Sequence, residues 1–149
     1  TIFDHNSRFL RTKLIKKLNI NLSRFFSIIH PNNLIGKNTK LGIGVSIYPG
    51  CKIWGNSKIG NFCNLMPNVS VASNCVIGDN CFIGNDALIG AGSRIKKNVY
   101  ISNSTTLVKN IVINEGNRII PSSIINRNIK EKKMIIGGIP AKILFKEKK

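Results

Sequence analysis

From Ile29 onward every sixth residue is aliphatic: Ile35, Leu41, Ile47, Ile53, Ile59, Leu65, Val71, Ile77, Ile83, Ile89, Ile95, Ile101, Leu107, Ile113, Ile119 and Ile125. Seventeen consecutive positions obey the rule without a slip or an insertion. A helix would repeat its apolar face at 3.6 residues, and an ordinary strand would alternate at two along its whole length. Neither fits. A fixed internal period points instead to a repeat fold, in which each unit buries its apolar side only by stacking on its neighbours.

Two further positions in the hexad sharpen this reading. Four residues after each aliphatic come small or β-branched side chains: Thr39, Val45, Cys51, Ser57, Cys63, Val69, Cys75, Cys81, Ala87, Ser93, Val99 and Thr105. These can point inward beside a bulky neighbour. One residue earlier the chain places Asn38, Gly44, Gly50, Asn56, Asn68, Asn74, Asn80, Asp86, Gly92, Asn98, Asn110 and Gly116. Gly, Asn and Asp are the residues that accept a left-handed backbone or a tight corner. Each hexad therefore reads as a short strand followed by a corner, and three hexads close a triangular coil of 18 residues. Residues 18 apart should stack, as in Ile35, Ile53, Val71, Ile89, Leu107 and Ile125. Their strands should lie about 4.8 Å apart. Gly78, Gly84 and Gly90 read first as coil corners.

This pattern resembles the hexapeptide-repeat acyltransferases. The resemblance implies an all-β fold, a left-handed parallel β-helix of hexapeptide repeats with a short N-terminal helix. The handedness comes from the resemblance, since spacing does not reveal it. Residues 8–18 space Phe9, Leu10, Leu14, Ile15 and Leu18 at helical intervals with bases between them, which predicts one amphipathic helix. Phe25 to Ile29 is an apolar run into His30-Pro31, where proline favours an extended entry. After Ile125, residues 126–133 are polar and read as a surface linker. Met134-Ile135-Ile136 reads as a strand, and Leu144 to Lys149 as a basic tail.

The net charge of +17 is distributed unevenly. Residues 1–40 carry eight bases and residues 127–149 eight more, against seven in the 86 residues between. Such ends suit polyanions, whether a phosphate-rich cofactor, a nucleotide sugar, nucleic acid or a membrane surface, or they are simply solvated. No aromatic-interleaved basic motif singles out nucleic acid. All four cysteines occupy the inward small position, with Cys63 and Cys81 18 apart, and no CxxC suggests a metal. They read as reduced core thiols. No membrane-spanning run or signal peptide is present, which predicts a cytoplasmic protein.

Two motifs narrow the resemblance. Gly138-Ile139-Pro140-Ala141-Lys142 is similar to an ending common in these acyltransferases. Ile29-His30-Pro31, Ile47-Tyr48-Pro49 and Cys75-Val76-Ile77-Gly78 resemble the sialic-acid O-acetyltransferases and UDP-4-amino-sugar N-acetyltransferases of bacterial glycan pathways. That family places a small nucleotide-sugar domain before the β-helix. Its last strand and helix are similar to Ile2-Phe3 and residues 6–18. The implied division is 1–28, a remnant of that domain (strand, helix, connector); 29–125, the β-helix; and 126–149, a C-terminal linker, strand and basic tail. Most of the nucleotide-sugar domain, with its glycine-rich loop, would be lacking.

The same resemblance implies the activity: transfer of an acetyl group from acetyl-CoA to an amino or hydroxyl group of a nucleotide-linked sugar, by a homotrimer with acetyl-CoA between neighbouring β-helices. Residue by residue it assigns cofactor contacts to Phe82, Asn103, Pro121 and Lys142. It assigns the general-base histidine position to Ser73, and the acidic residue before it to Ala72. An asparagine usual near Leu65 is Met66 here, and Pro121 stands where glycine is preferred. Serine cannot act as a base unaided, and a positioned base supplies about 10²–10⁴-fold in rate. Of the two histidines, His5 lies in the N-terminal segment and His30 at a family position that is not catalytic. Ser73 and Cys75 could serve as nucleophiles only beside a base. The alternative class is therefore a β-helix scaffold or truncated remnant without transferase activity. A basic nucleic-acid or anionic-lipid module is supported by charge alone.

Overall fold

The computed structural model describes residues 8–146. The strand expected at Ile2-Phe3, the position of His5 and the last three residues of the basic tail lie outside the described residues. Helix α1 (Arg8–Lys17) forms where a helix over 8–18 was expected, and a 3-10 turn (Leu22–Arg24) follows. No described helix is long and apolar enough to cross a membrane.

Seventeen two-residue strands then run from β1 (Ile28–Ile29) to β17 (Ile124–Ile125), one per hexad. The second residue of each pair is the aliphatic of the period. Every third strand pairs in parallel with a register of 18 residues, as in Leu88↔Ser70, Leu88↔Thr106, Ile89↔Val71 and Ile89↔Leu107. Three flat sheets result, and the chain is a parallel β-helix of triangular section. The first face begins at Ile28–Ile29 and contains Asn64–Leu65, Phe82–Ile83, Tyr100–Ile101 and Arg118–Ile119. The second contains Lys52–Ile53, Ser70–Val71 and Leu88–Ile89. The third contains Lys58–Ile59, Val76–Ile77 and Arg94–Ile95.

The corners follow the same periodicity. All twelve Gly, Asn and Asp residues of the corner register have φ between +58° and +77°. Phe62, Ser104 and Ser122 occupy that register too, with φ of 57°, 55° and 56°. The coil geometry thus imposes the left-handed conformation even on a bulky aromatic, which ordinarily avoids it. The Phe62 ring is held edge-on against Phe25, with centroids 5.1 Å apart. That contact ties the connector to the second coil. Side chains also link successive coils: Asn61 Oδ1 accepts the Ile43 N–H at 2.9 Å, and Asp79 Oδ1 accepts the Asn61 N–H at 2.8 Å.

The core is one continuous column of the periodic aliphatics and small residues. Ile29 and Ile35, in the first coil, remain about 40% exposed because no described coil lies beneath them.

The C-terminal segment departs from its sequence reading in two places. Residues 126–133 are not a simple surface linker. Ile129 is buried and bridges Ile113, its N–H bonding to Val112 O at 2.9 Å. The stretch is a shortened coil, with a step of 16 rather than 18. The tail expected from Leu144 is strand through Lys146: β18 (Met134–Gly138) joins the first face beside Arg118–Ile119, and β19 (Ala141–Lys146) folds back antiparallel on it.

Ile89 has no accessible surface and packs between Val71 and Leu107. Truncation to alanine leaves a cavity that rigid flat sheets fill poorly. Ile89→Ala should cost about 2–5 kcal/mol in chemical denaturation. A loss under about 1 kcal/mol would contradict the stacked core.

Candidate functional site

Four of the five residues singled out from sequence fall on one side of the prism. Phe82 points outward from the first face, half-buried. Asn103 and Pro121 lie one coil apart on the edge between the first and second faces, both exposed. β18 carries Gly137 against the Ile120 side chain, next to Pro121, and Lys142 pairs with Gly137 across the hairpin. Lys142 is exposed. Asn103 also has a structural task, since its Oδ1 accepts the Asn85 N–H at 3.0 Å.

Ser73 is elsewhere. It stands on the edge between the second and third faces, half-buried, in the corner Ala72-Ser73-Asn74. Asn74 takes the left-handed φ of 62°. One coil below lies Trp54-Gly55-Asn56: the Trp54 N–H donates to Val71 O at 2.8 Å and the Asn74 N–H to Gly55 O at 3.2 Å. One coil above lies Gly90-Ala91-Gly92, whose Gly92 N–H donates to Ser73 O at 3.0 Å. Within the chain Ser73 and the Phe82 group are therefore on different sides of the prism. His30 belongs to the first coil and the other edge, where its Nδ1 accepts the Asn32 N–H at 3.2 Å. It does not reach Ser73.

Two residues missed by sequence reasoning extend the Phe82 position. Tyr100 stacks on Phe82 with centroids 4.5 Å apart and planes 5° from parallel, and the Arg118 guanidinium lies 5.8 Å from the Tyr100 centroid. Below Phe82, Asn64 is 2% exposed and its Oδ1 has no hydrogen-bond partner. The signal was present: one step of 18 from Phe82 gives Asn64 and Tyr100, and a second step gives Arg118. Trp54 was likewise recoverable as the residue 18 before Ala72.

Cys75 is fully buried with its Sγ toward Gly90 O at 3.3 Å. It points into the core and away from the edge, which excludes it as a surface nucleophile. Burial raises the Cys51 and Cys75 thiol pKa values. It raises that of Cys81 furthest, with the adjacent Cys63 thiol adding to the effect.

Residues 26–136 match the family described as the GMPPB C-terminal domain. The chain belongs to this family. No curated protein matches it by sequence. Among solved structures, it is similar to a mutant perosamine N-acetyltransferase from Caulobacter crescentus in complex with CoA and GDP-perosamine. The TM-score is 0.85 at 21% identity, covering 93% of this chain and 65% of that one. The acetyltransferase domain of PglB from Neisseria gonorrhoeae, in complex with acetyl coenzyme A, gives 0.83 at 20% identity, covering 95% and 68%. A hexapeptide transferase family protein from Anaplasma phagocytophilum gives 0.70 at 21%, covering 82% and 80%. At these identities the likeness establishes the fold, the β-helix of hexapeptide repeats. The chain spans about two thirds of the length of the first two.

The burial of all four cysteines has a direct consequence. All four cysteines should resist a colourimetric disulfide reagent at pH 8 in the native state and react together once the chain is denatured. One cysteine reacting within seconds in the folded protein would contradict the inward placement.

Proposed function

We propose that the chain is an acetyl-CoA-dependent sugar acetyltransferase. It would move an acetyl group to an amino or hydroxyl group of a nucleotide-linked sugar. The observation that carries the reading is the superposition of nearly the whole chain on a perosamine N-acetyltransferase solved with CoA and GDP-perosamine and on an acetyltransferase domain solved with acetyl coenzyme A. In this reading Phe82, Asn103, Pro121 and Lys142 line the cofactor groove. The Lys142 ammonium meets a phosphate as a compact point charge, and the Phe82–Tyr100 stack offers an apolar wall. A homotrimer accommodates the separation of the two edges, because a threefold arrangement sets one protomer's Ser73 edge against the next protomer's cofactor side.

In the transfer the acceptor nitrogen or oxygen attacks the thioester carbonyl. The new C–N or C–O bond forms as the C–S bond breaks. CoA leaves as the thiolate and takes up the proton that the acceptor loses. A base at the Ser73 corner would remove that proton during attack, and serine cannot. Turnover should accordingly be slow.

A second reading rests on the same corner. With Ser73 and Ala72 in place of a base and its carboxylate, the β-helix would be a scaffold that keeps a cofactor groove without the chemistry.

Thiol release from acetyl-CoA with UDP-4-amino-sugars decides between the readings. Release well above the no-acceptor rate supports the transferase, and release at that rate supports the scaffold. Ser73→His combined with Ala72→Glu should raise the rate at least tenfold, and up to the roughly 10²–10⁴-fold that a positioned base supplies. No gain from the double variant would count against the assignment of this edge.

A further inference from the structure

Trp54 is the only tryptophan of the chain and is 55% exposed. The other residues of its corner register are Gly36, Ala72, Gly90, Val108 and Asn126, all smaller. An indole left in water forgoes the burial that makes tryptophan valuable, and such residues are typically found where something covers them. Trp54 walls one side of a cleft of about 160 Å³, completed by Leu34, Ile35, Gly36, Lys52 and Ile53. Ligand sites for drug-sized molecules run from roughly 300 Å³ upward, so this cleft takes one ring rather than a nucleotide. Gly36 keeps the corner tight, since a Cβ there would meet the Gly55 backbone and stand 3.0 Å from the Trp54 carbonyl carbon.

Placement and charge agree. The Trp54 corner is one coil, about 4.8 Å, below Ala72-Ser73, and the ledge above Ser73 is Gly90-Ala91-Gly92, without a long side chain. Lys52, exposed on the second face, is the cleft's charged residue. A flat apolar face beside a single ammonium suits a sugar ring that carries a phosphate ester. It suits a polynucleotide less, since that would ask for a run of bases along a strand path.

We propose that Trp54 and Lys52 form the acceptor subsite, the indole stacking on the pyranose ring of a nucleotide-linked sugar and Lys52 contacting its diphosphate. The proposal rests on the reading of the Ser73 edge as the place where the acceptor meets the acetyl group. Together they hold the sugar at that edge, and the nucleoside extends beyond the cleft.

The single tryptophan reports on this directly, without turnover. Emission excited at the red edge of the indole band should change saturably on addition of a UDP-4-amino-sugar or GDP-perosamine to the full chain, and not on addition of UDP or GDP alone. Lys52→Ala should weaken the apparent affinity about tenfold, with the effect shrinking at high salt. Trp54→Ala should abolish the binding heat of the sugar nucleotide at concentrations where Trp54→Phe retains it. A silent Trp54 in a chain that still binds acetyl-CoA overturns the subsite and leaves the transferase reading intact. An equal response to UDP alone also overturns it, since the base and not the sugar would then sit on the indole. A chain that binds neither acetyl-CoA nor the sugar nucleotide overturns both.

Discussion

The structure depends on its corners. A strand of two residues has too few hydrogen bonds to hold a direction, so the chain must turn by the same angle every six residues or the stack fails. One left-handed residue per corner supplies that turn. Asn and Gly accept it at little cost, and the side chains of Asn61, Asp79 and Asn103 then reach one coil down to bond a backbone N–H. Once corners are equal, residues 18 apart fall in register and each backbone amide meets its partner on the next coil. The core then follows as a column in which Ile89 touches its equivalents above and below.

Most of this architecture was legible because periodicity is a property of the chain itself. The aliphatic, small and corner positions each correspond to one place in the coil. What was not legible was where the rule bends. Phe62 carries no sign that it will take φ of 57°, and it does so because neighbouring corners leave the backbone no alternative while Phe25 shelters its ring. Ile129 falls off the six-residue count, yet it is buried, because a coil shortened by two residues still brings its amide to Val112. The strand through Lys146 was missed because alternating basic and apolar residues at a chain end look like a tail until β18 offers an edge to pair with.

The candidate site was legible only in part, for a different reason. Outward positions on a solenoid are free of packing constraints, so composition there reports on ligands or on nothing. Phe82 stood out alone in the sequence, whereas the structure makes it one member of a ladder with Tyr100 and Arg118. Ser73 was singled out through the family resemblance alone, at the position to which it assigns a histidine. The fold accepts serine there without structural penalty, because the corner backbone, held by Gly55 and Gly92, does not depend on the side chain at that position. In the proposed reading the cofactor groove and the base position occupy separate edges, so one could be lost while the other persists.

The measurement that bears most directly on this account is calorimetric titration of the purified chain with acetyl-CoA, run beside Phe82→Ala and Lys142→Ala. The account predicts one saturable site per protomer, weakened about tenfold or more by Phe82→Ala, and weakened in a salt-dependent way by Lys142→Ala. The absence of binding heat at millimolar acetyl-CoA, or binding indifferent to both substitutions, would contradict it. In the first case the β-helix would be architecture without a cofactor groove, and in the second the groove would lie on another side of the prism.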